Sequence, residues 1–295
     1  MVTDWEDTFR DWASAPSVTE QTRCDNAVGV IRNSISGSPA LKIRSTSVFA
    51  QGSYRNRTNV RADSDVDVCV LCRDTFYFDL PNGMKPEDFG ITPATYYYPT
   101  YKNDVEAALV SYLGRQAVTR GNKAFDVHEN TYRVDADVVA CFEYRYYRQN
   151  DTYLEGTAFV TDKGIRINNW PEQNYDNGVM KNEMTGRRLK SIVRILKSLR
   201  DEMADNGYNE AKVVPSYLIE CLVWNVPNEG FGHYAYTDDV RYAIAHLYNK
   251  TLNFEDCREW CEVNDIKYLF HSSQPWTYRQ ANKLFLAAWN YVGFE

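Results

Sequence analysis

The first half of the chain mixes strand-like and helical patterns. A helix is predicted over residues 4–14, and Ser17 to Glu20 has the spacing of a capping box that opens a second helix to about residue 35. Apolar residues at every second position predict strands at 45–51, 64–71, 124–129, 131–146 and 157–168. A helix is predicted from 103 to about 120, and the Pro-, Gly- and Tyr-rich stretch 73–102 is expected to be an irregular insertion.

The second half has a different periodicity. Apolar residues recur at helical spacing in four segments, at about 183–205, 213–225, 237–251 and 276–291. The pattern therefore predicts an α+β fold, with a mixed core lobe over residues 1–175 and a helical lobe over 176–295. Substrates commonly bind between two such lobes, so we expect the active site there.

The predicted strand after residue 64 carries the first chemical signal. Asp65 and Asp67 alternate with valines, which places both carboxylates on one face of the strand and the valines on the other. Two neighbouring carboxylates repel each other unless a cation lies between them, and oxygen ligands suit Mg²⁺ or Mn²⁺. Upstream, Gly52 offers a backbone without a Cβ, and Ser53 adds a hydroxyl, which together suit close contact with a triphosphate.

A second acidic strand supplies a third carboxylate. Asp135 and Asp137 again share one strand face, and Asp137 is the preferred third metal ligand because buried-type valines follow it, with Asp135 as the alternative. An isolated Asp-x-Asp is more often a solvated strand edge or a turn. Together with Gly52 and Ser53, the two acidic strands favour two-metal nucleotidyl transfer, in which metals bind the triphosphate and activate a ribose hydroxyl.

A basic helix is the second signal. Between Lys181 and Arg200 there are seven basic residues and one acidic residue, in a protein of net charge -7. A solvated helix face would explain Arg187, Lys190 and Arg194, yet the local reversal of charge favours triphosphate binding by at least Lys197. Ser216 either caps the next helix or donates to a phosphate, and Tyr217 offers a ring for base stacking.

Composition narrows the class of protein. The acidic balance disfavours an extended nucleic-acid surface, and the chain has neither a long apolar run nor a signal-peptide pattern, so we expect a cytoplasmic protein without a membrane partner. Seven cysteines without framework spacing indicate reduced thiols, although two pairs, Cys69 with Cys72 and Cys257 with Cys261, have the alternative of a zinc site.

These residues resemble the bacterial CD-NTases (cGAS/DncV-like nucleotidyltransferases), relatives of animal cyclic GMP-AMP synthase and oligoadenylate synthase. The resemblance covers nearly the whole chain. It rests on Gly52-Ser53, Asp65-Val-Asp67 and Ala136-Asp137-Val-Val139, and it continues with Trp170-Pro171, the helix that contains Arg194 and Lys197, and Pro215-Ser216-Tyr217.

The resemblance implies a polymerase-β-like nucleotidyltransferase lobe and a helical lobe. Asp65, Asp67 and Asp137 match the family's metal ligands, with Mg²⁺ (or Mn²⁺) as the cofactor. Ser53, Lys197 and Ser216 match positions that hold the donor triphosphate, and Tyr217 matches one near its base.

The activity that the resemblance implies is the joining of NTPs, ATP among them, into a cyclic di- or trinucleotide with release of pyrophosphate. The product would signal to a cyclic-nucleotide-activated effector in anti-phage (CBASS) defence. Two alternatives remain open: a nucleotidyltransferase that extends a primer or modifies another substrate, and a non-catalytic nucleotide-binding partner protein.

Overall fold

A computed structural model describes residues 5–60, 65–150 and 152–295. By contacts, these residues form two compact units. The sheet unit contains the described residues within 17–55 and 61–171, and the helical unit contains those within 1–16, 56–60 and 172–295. A short segment at 56–60 therefore belongs with the C-terminal helices although it follows the sheet unit's first strand. The division of the chain at residues 175 and 176 stays a prediction.

The sheet unit is built on a mixed sheet with β5 at its centre. Its strands are β1 (Thr46–Ala50), β2 (Val66–Asp79), β3 (Val118–Arg120), β4 (Phe125–Val127), β5 (Ala136–Tyr147), β6 (Tyr153–Val160) and β7 (Arg166–Asn169). The order runs β1-β2-β5-β4-β3, and β2 and β5 are parallel. On the other edge of β5, β4 pairs with its first residues and β6 with its last, both antiparallel.

A β-bulge divides the long pairing of β2 with β5. Before the bulge, residues from Val66 to Cys72 pair in register with Ala136 to Phe142, and after it Phe76 pairs with Glu143. The first stretch is buried on both sides of the backbone, with apolar residues that are almost completely inaccessible, as expected for a covered parallel strand pair. Asp67 and Asp137 therefore lie before the bulge, near the start of their strands.

Three helices belong mainly to this unit: α2 (Val18–Gly37), α3 (Gly52–Asn56) and α4 (Tyr98–Leu113). Ser17 caps α2 by accepting a hydrogen bond from the Glu20 amide at 3.2 Å. Helix α4 is fixed to the sheet by two buried tyrosines, because Tyr98 donates to the Ala140 carbonyl at 2.9 Å and Tyr101 to the Val70 carbonyl at 2.6 Å. These bonds satisfy hydroxyls that would be costly to bury alone.

The helical unit contains α1 (Trp5–Trp12), α5 (Pro171–Met184, of which all but Pro171 belongs here), α6 (Leu189–Asp205), α7 (Asn209–Lys212), α8 (Ser216–Trp224), α9 (Tyr236–Lys250) and α10 (Tyr278–Val292). Their apolar faces form one core around Ile192, Leu222 and Phe285. Phe9 of α1 is fully buried in that core. Glu6 of the same helix accepts hydrogen bonds from the Tyr236 and Thr237 amides, which caps the N-terminus of α9.

The predicted elements are largely confirmed, with four corrections. The segment 157–168 is not one strand, since β6 ends at Val160 and β7 begins at Arg166. The segment 73–102 is not one irregular insertion, since β2 continues to Asp79 and α4 already begins at Tyr98. Helix α4 ends at Leu113 rather than near residue 120, where β3 lies instead. Helix α5 was missed, because its few apolar residues give no helical stripe. Residue 4 of the first predicted helix and residue 64 of the second predicted strand lie outside the described residues.

Two further observations concern membrane-spanning helices and the cysteines. Across the described ranges, no helix is both long and apolar enough to cross a membrane. All seven cysteines are free thiols, and six of them are buried. Burial raises the pKa of Cys24 and of Cys257 to about 11, so these thiols stay protonated and behave as small apolar side chains.

Candidate active site

Three neighbouring strands bring carboxylates together at one end of the sheet. Asp67 of β2 pairs in register with Asp137 of β5, and Asp137 pairs in register with Asp126 of β4. Residues directly opposite each other on paired strands point to the same face of the sheet, about 5 Å apart. The sheet therefore places three aspartates in a row across β2, β5 and β4.

The local sequence explains why these side chains avoid the core. In each strand the residues on both sides of the aspartate are buried: Val66 and Val68, Ala136 and Val138, Phe125 and Val127. Because side chains alternate along a strand, burial of these neighbours forces the aspartates to the opposite, partly open face. Asp65 and Asp135 flank the row, one residue before the start of β2 and of β5 respectively.

Electrostatic repulsion acts within this group, which we call the acidic cluster (Asp65, Asp67, Asp126, Asp135 and Asp137). Burial raises the pKa of Asp137, and the charges of Asp65, Asp126 and Asp135 raise it further. Desolvation likewise raises the pKa of Asp65, with contributions from Asp135, Asp126 and Glu129. Within the described ranges, no Lys or Arg forms an ion pair with Asp137. Carboxylates crowded on one face of a sheet suit a divalent metal ion.

One subset of the cluster already has ligand geometry. Asp126, Asp135 and His128 each offer a ligand atom, and the three atoms lie within 4.8 Å of one another. Asp135 also accepts a hydrogen bond from the Glu129 amide at 2.6 Å, which fixes its carboxylate. Neither Asp126 nor His128 was predicted from the sequence as a site residue. The alternation Phe125-Asp126-Val127 was the available signal, but the pairing of β4 with β5 is needed to show its importance.

Gly52 lies against the carboxylate of Asp67. It starts α3 with φ +65°, a conformation that L side chains rarely adopt, and a Cβ at this position would lie 2.9 Å from the carboxyl carbon of Asp67. The Gln51 amide donates to the Asp67 carbonyl at 2.8 Å, which holds this segment on β2. Ser53 follows directly in α3, and the contact of Gly52 and Ser53 with a triphosphate stays a prediction.

Lys197 is buried in an ion pair, whereas a lysine that contacts a phosphate in solvent would be exposed. Its side chain is 2% exposed, and its ammonium lies 3.0 Å from Glu220 Oε2 and 3.1 Å from the Thr58 carbonyl. Glu220 also accepts from Thr58 Oγ1 at 2.6 Å and from Asn56 Nδ2 at 2.8 Å. Burial alone would raise the pKa of Glu220, but Lys197, Thr58 and Asn56 together lower it.

A solvated helix face does not account for all the basic residues near α6, because Arg194 is not exposed. Arg194 is buried and donates to the carbonyls of Ala13 and Arg57, so it stabilises the helical unit instead of facing solvent. Arg187 precedes the helix, at φ +67°. Lys190 is half-buried, with its ammonium 5.7 Å from the centre of the Tyr175 ring, and burial lowers its pKa. The charges of Arg57 and Arg194 lower the pKa of Lys190 further, and the charge of Glu220 opposes them.

Ser216 and Tyr217 both lie in the first turn of α8. Ser216 Oγ accepts a hydrogen bond from Arg200 at 2.5 Å, which brings a guanidinium to this helix end. Ser216 is the first residue of the helix, and no side-chain cap is formed by Pro215 before it. The Tyr217 hydroxyl lies 3.0 Å from Glu262 Oε2 and 3.2 Å from Asn174 Oδ1, while the residue is 37% exposed.

Similarity to known proteins decides the family. Residues 176–293 match the C-terminal helical domain of cGAS/DncV-like nucleotidyltransferases. The chain is 44% identical to a cyclic dipyrimidine nucleotide synthase of Cecembia lonarensis, over 98% of both chains. It is 47% identical to one of Legionella pneumophila, over 99% of both. The chain belongs to the CD-NTase family. As a CD-NTase it is a nucleotidyltransferase, and its relatives are cyclic nucleotide synthases.

A solved CD-NTase structure agrees with the fold. The c-UMP-AMP synthase of Rhodothermus marinus, solved with Apcpp and Upnpp, superposes with a TM-score of 0.86 at 31% identity, covering 98% of each chain. The predicted mixed sheet with a helical lobe, the nucleotidyltransferase fold and the resemblance to CD-NTases are all confirmed. NTP substrates are likewise supported by this family.

Proposed function

We propose that this CD-NTase joins two pyrimidine nucleoside triphosphates into a cyclic dinucleotide and releases two pyrophosphates. The similarity of the whole chain, at 44% and 47% identity, to two cyclic dipyrimidine nucleotide synthases carries this proposal. The aligned acidic cluster supports it, because nucleotidyl transfer needs carboxylates that hold divalent cations.

Asp65, Asp67 and Asp137 hold the divalent cations in this proposal, and Mg²⁺ is the ion that their oxygen ligands suit, with Mn²⁺ as a substitute. Bound metal supplies charge stabilisation for the entering and leaving oxygens and lowers the pKa of the attacking hydroxyl. The in-register pairing of Asp67 with Asp137 supports this set, and the raised pKa values of Asp65 and Asp137 fit carboxylates that await a cation. Asp135, with Asp126 and His128, is the alternative ligand set.

Gly52 and Ser53 approach the donor triphosphate in this proposal, with the backbone at Gly52 leaving room beside Asp67. Ser216 contacts a phosphate, and the neighbouring Arg200 guanidinium favours an anion at that place. Tyr217 stacks on a base through its exposed ring. Lys197 contacts the triphosphate in this proposal only if its buried ion pair with Glu220 separates.

Product analysis tests the proposal directly. Purified protein is incubated with Mg²⁺ and each pair of the four NTPs, and products are treated with phosphatase and identified by mass spectrometry, beside an Asp65→Ala/Asp67→Ala control. We expect phosphatase-resistant cyclic products from UTP and CTP alone. A product that needs ATP would replace the pyrimidine assignment with a mixed one, and only linear or RNA-primed products would contradict cyclic synthesis.

The biological setting follows from the family. We infer that the product activates a cyclic-nucleotide-dependent effector in anti-phage signalling. A strain that carries the gene with its neighbours should restrict phage, and Asp67→Ala should abolish that restriction although the protein accumulates normally. Unchanged restriction by Asp67→Ala would contradict a catalytic role in defence.

A further inference from the structure

A buried carboxylate lies behind the ring of Tyr217. Glu262 is 5% exposed, and both of its oxygens accept hydrogen bonds from neutral donors. Oε2 lies 3.0 Å from the Tyr217 hydroxyl and 2.7 Å from Asn264 Nδ2, and Oε1 lies 2.7 Å from Gln274 Nε2. A buried carboxylate is costly unless such donors satisfy it, so the cluster has a definite arrangement.

The turn that carries Glu262 is itself held on several sides. Cys261 forms an isolated bridge with Tyr268, and the Glu262 amide donates to the Lys267 carbonyl at 2.8 Å. Side-chain amides fasten the turn to two helices, with Asn177 of α5 bonded to the Val263 carbonyl and Asn225 at the end of α8 bonded to the Cys261 carbonyl. Glu262 is therefore a fixed acceptor.

Tyr217 is anchored at its hydroxyl, and the residue is partly exposed. Burial raises the pKa of its hydroxyl well above the usual value, so the group remains a hydrogen-bond donor. A single hydroxyl proton is donated to one acceptor at a time, and the carboxylate of Glu262 is nearer than Asn174 and charge-assisted. The ring centre lies 6.2 Å from that of Trp276, and the residue remains 37% exposed.

We propose that Glu262 is a positioning residue, which fixes the plane of the Tyr217 ring so that it can stack on the base of a bound nucleoside triphosphate. This inference rests on the proposed function, which places Tyr217 at a base. Every base has a π-face, so stacking tolerates any base. Glu262 therefore controls how tightly an NTP binds and has little influence on which NTP is chosen.

Replacement of Glu262 by Gln tests the role with little change in shape. One of the two oxygens becomes an NH₂ group. It either faces the donors Tyr217 and Asn264, or requires Gln274 to turn its amide and give up its bond to the Tyr268 carbonyl. We expect KM for UTP, and the Kd of a non-hydrolysable UTP analogue, to rise roughly tenfold, the scale of one charge-assisted hydrogen bond. The value of kcat should stay within about twofold, since no reacting atom is touched.

A reciprocal exchange provides the rescue. In Glu262→Gln/Gln274→Glu, the new amide at position 262 can donate to the new carboxylate at position 274, while its carbonyl oxygen still accepts from Tyr217 and Asn264. We expect the double variant to bind more tightly than Glu262→Gln, because Tyr217 regains a fixed acceptor, and less tightly than the starting protein, because that acceptor is neutral. Gln274→Glu alone is the matched control, and it should be impaired because two carboxylates then face each other.

Tyr217→Phe separates positioning from packing, because it keeps the ring and removes only the anchoring hydroxyl. It should raise KM and Kd about as much as Glu262→Gln, and the two changes combined should add little to either alone. Unchanged Kd in both variants, additive effects, or failure of a folded exchange variant to rescue would overturn the proposal. If Glu262→Gln fails to fold, the Kd of Tyr217→Phe decides alone.

Binding and turnover distinguish this inference from the proposed function. If the protein binds the UTP analogue but makes no cyclic product, the proposed function fails while the Kd comparison still tests Glu262. If cyclic product forms and the Kd of every variant is unchanged, only the role of Glu262 fails. A loss of affinity confined to one base would also overturn the inference, because a stacking ring acts on every base.

Discussion

Asp137 in the sheet unit and Glu220 in the helical unit are both shielded carboxylates, yet their pKa values move in opposite directions. Asp137 has aspartates as its charged neighbours, and its pKa is raised. Glu220 has Lys197 and two side-chain donors, and its pKa is lowered. The first arrangement stores repulsion that a bound cation can relieve, and the second stabilises the fold. In this protein the two directions accompany two arrangements, like charges around Asp137 and an ion pair at Glu220.

Among these substitutions, Asp137→Asn should have the largest effect on activity. Loss of a proposed metal ligand is expected to reduce product formation by roughly a thousandfold or more. Removal of one crowded charge should at the same time leave the metal-free protein as stable as before, or more stable. Product yield and thermal unfolding in the presence of a chelator measure the two effects. The exposed Glu129→Gln variant is the charge control, and a large loss of activity there would show that net charge alone matters.

Glu220→Gln should lower stability, whereas Asp137→Asn should not. It leaves the buried ammonium of Lys197 facing a neutral group, which is expected to cost about 3–5 kcal/mol of unfolding free energy. Lys197→Met/Glu220→Met removes both charges and should cost less than Glu220→Gln. Urea unfolding measures these values. Equal costs for the single and double changes would show that the ion pair itself is unimportant.

Gly52→Ala tests the approach of the backbone to Asp67. The substitution should cost roughly 1–3 kcal/mol through the strained φ and should also displace the Asp67 carboxylate, with loss of activity. Gly90→Ala is a matched control, because Gly90 has the same φ of +65° and a Cβ added there would meet nothing within 4 Å. The two variants compared by unfolding and product assay separate strain from contact. Equal activity in both would contradict the importance of the contact.

The pH dependence of stability should show both signs in one protein. Glu220 has a lowered folded pKa, so its contribution is present above the unfolded value of 4.5 and is lost as the pH falls through the folded pKa. Asp137 has a raised folded pKa, so without metal its contribution is lost as the pH rises from 3.8 through the folded value. We expect Glu220→Gln to reduce the loss of stability as the pH falls. Asp137→Asn should reduce the loss of stability as the pH rises above 3.8. Identical profiles in both variants would exclude these assignments.

The sequence was sufficient where a short pattern has a single physical solution. Alternation in Val66-Asp67-Val68 and Ala136-Asp137-Val138 placed the aspartates on open strand faces, and Ser17 marked the start of α2. These features depend on neighbours within a few residues. The pairing of Asp126 with Asp137 depends on the strand order, which no local pattern specifies.

The same limit explains why the burial of Lys197 was not predicted. On a helical wheel this lysine adjoins the apolar stripe, where a long side chain usually reaches solvent. Its burial follows from Glu220, 23 residues later in the chain, and from the segment at Thr58, far earlier. Glu262 was missed for a similar reason, since its partner Tyr217 lies 45 residues earlier in the chain, on α8.

The β-bulge between Cys72 and Phe76 suggests where the enzyme can be altered without harm. Pairing upstream of the bulge aligns Asp67 with Asp137, and pairing downstream has its own register, so a change beyond it is not transmitted as a slip of the aspartates. The exposed residues 82–84 in the connection after β2 are accordingly a suitable place to insert an epitope or a dye-labelled loop. Such an insertion would report on the enzyme in cells while synthesis continues.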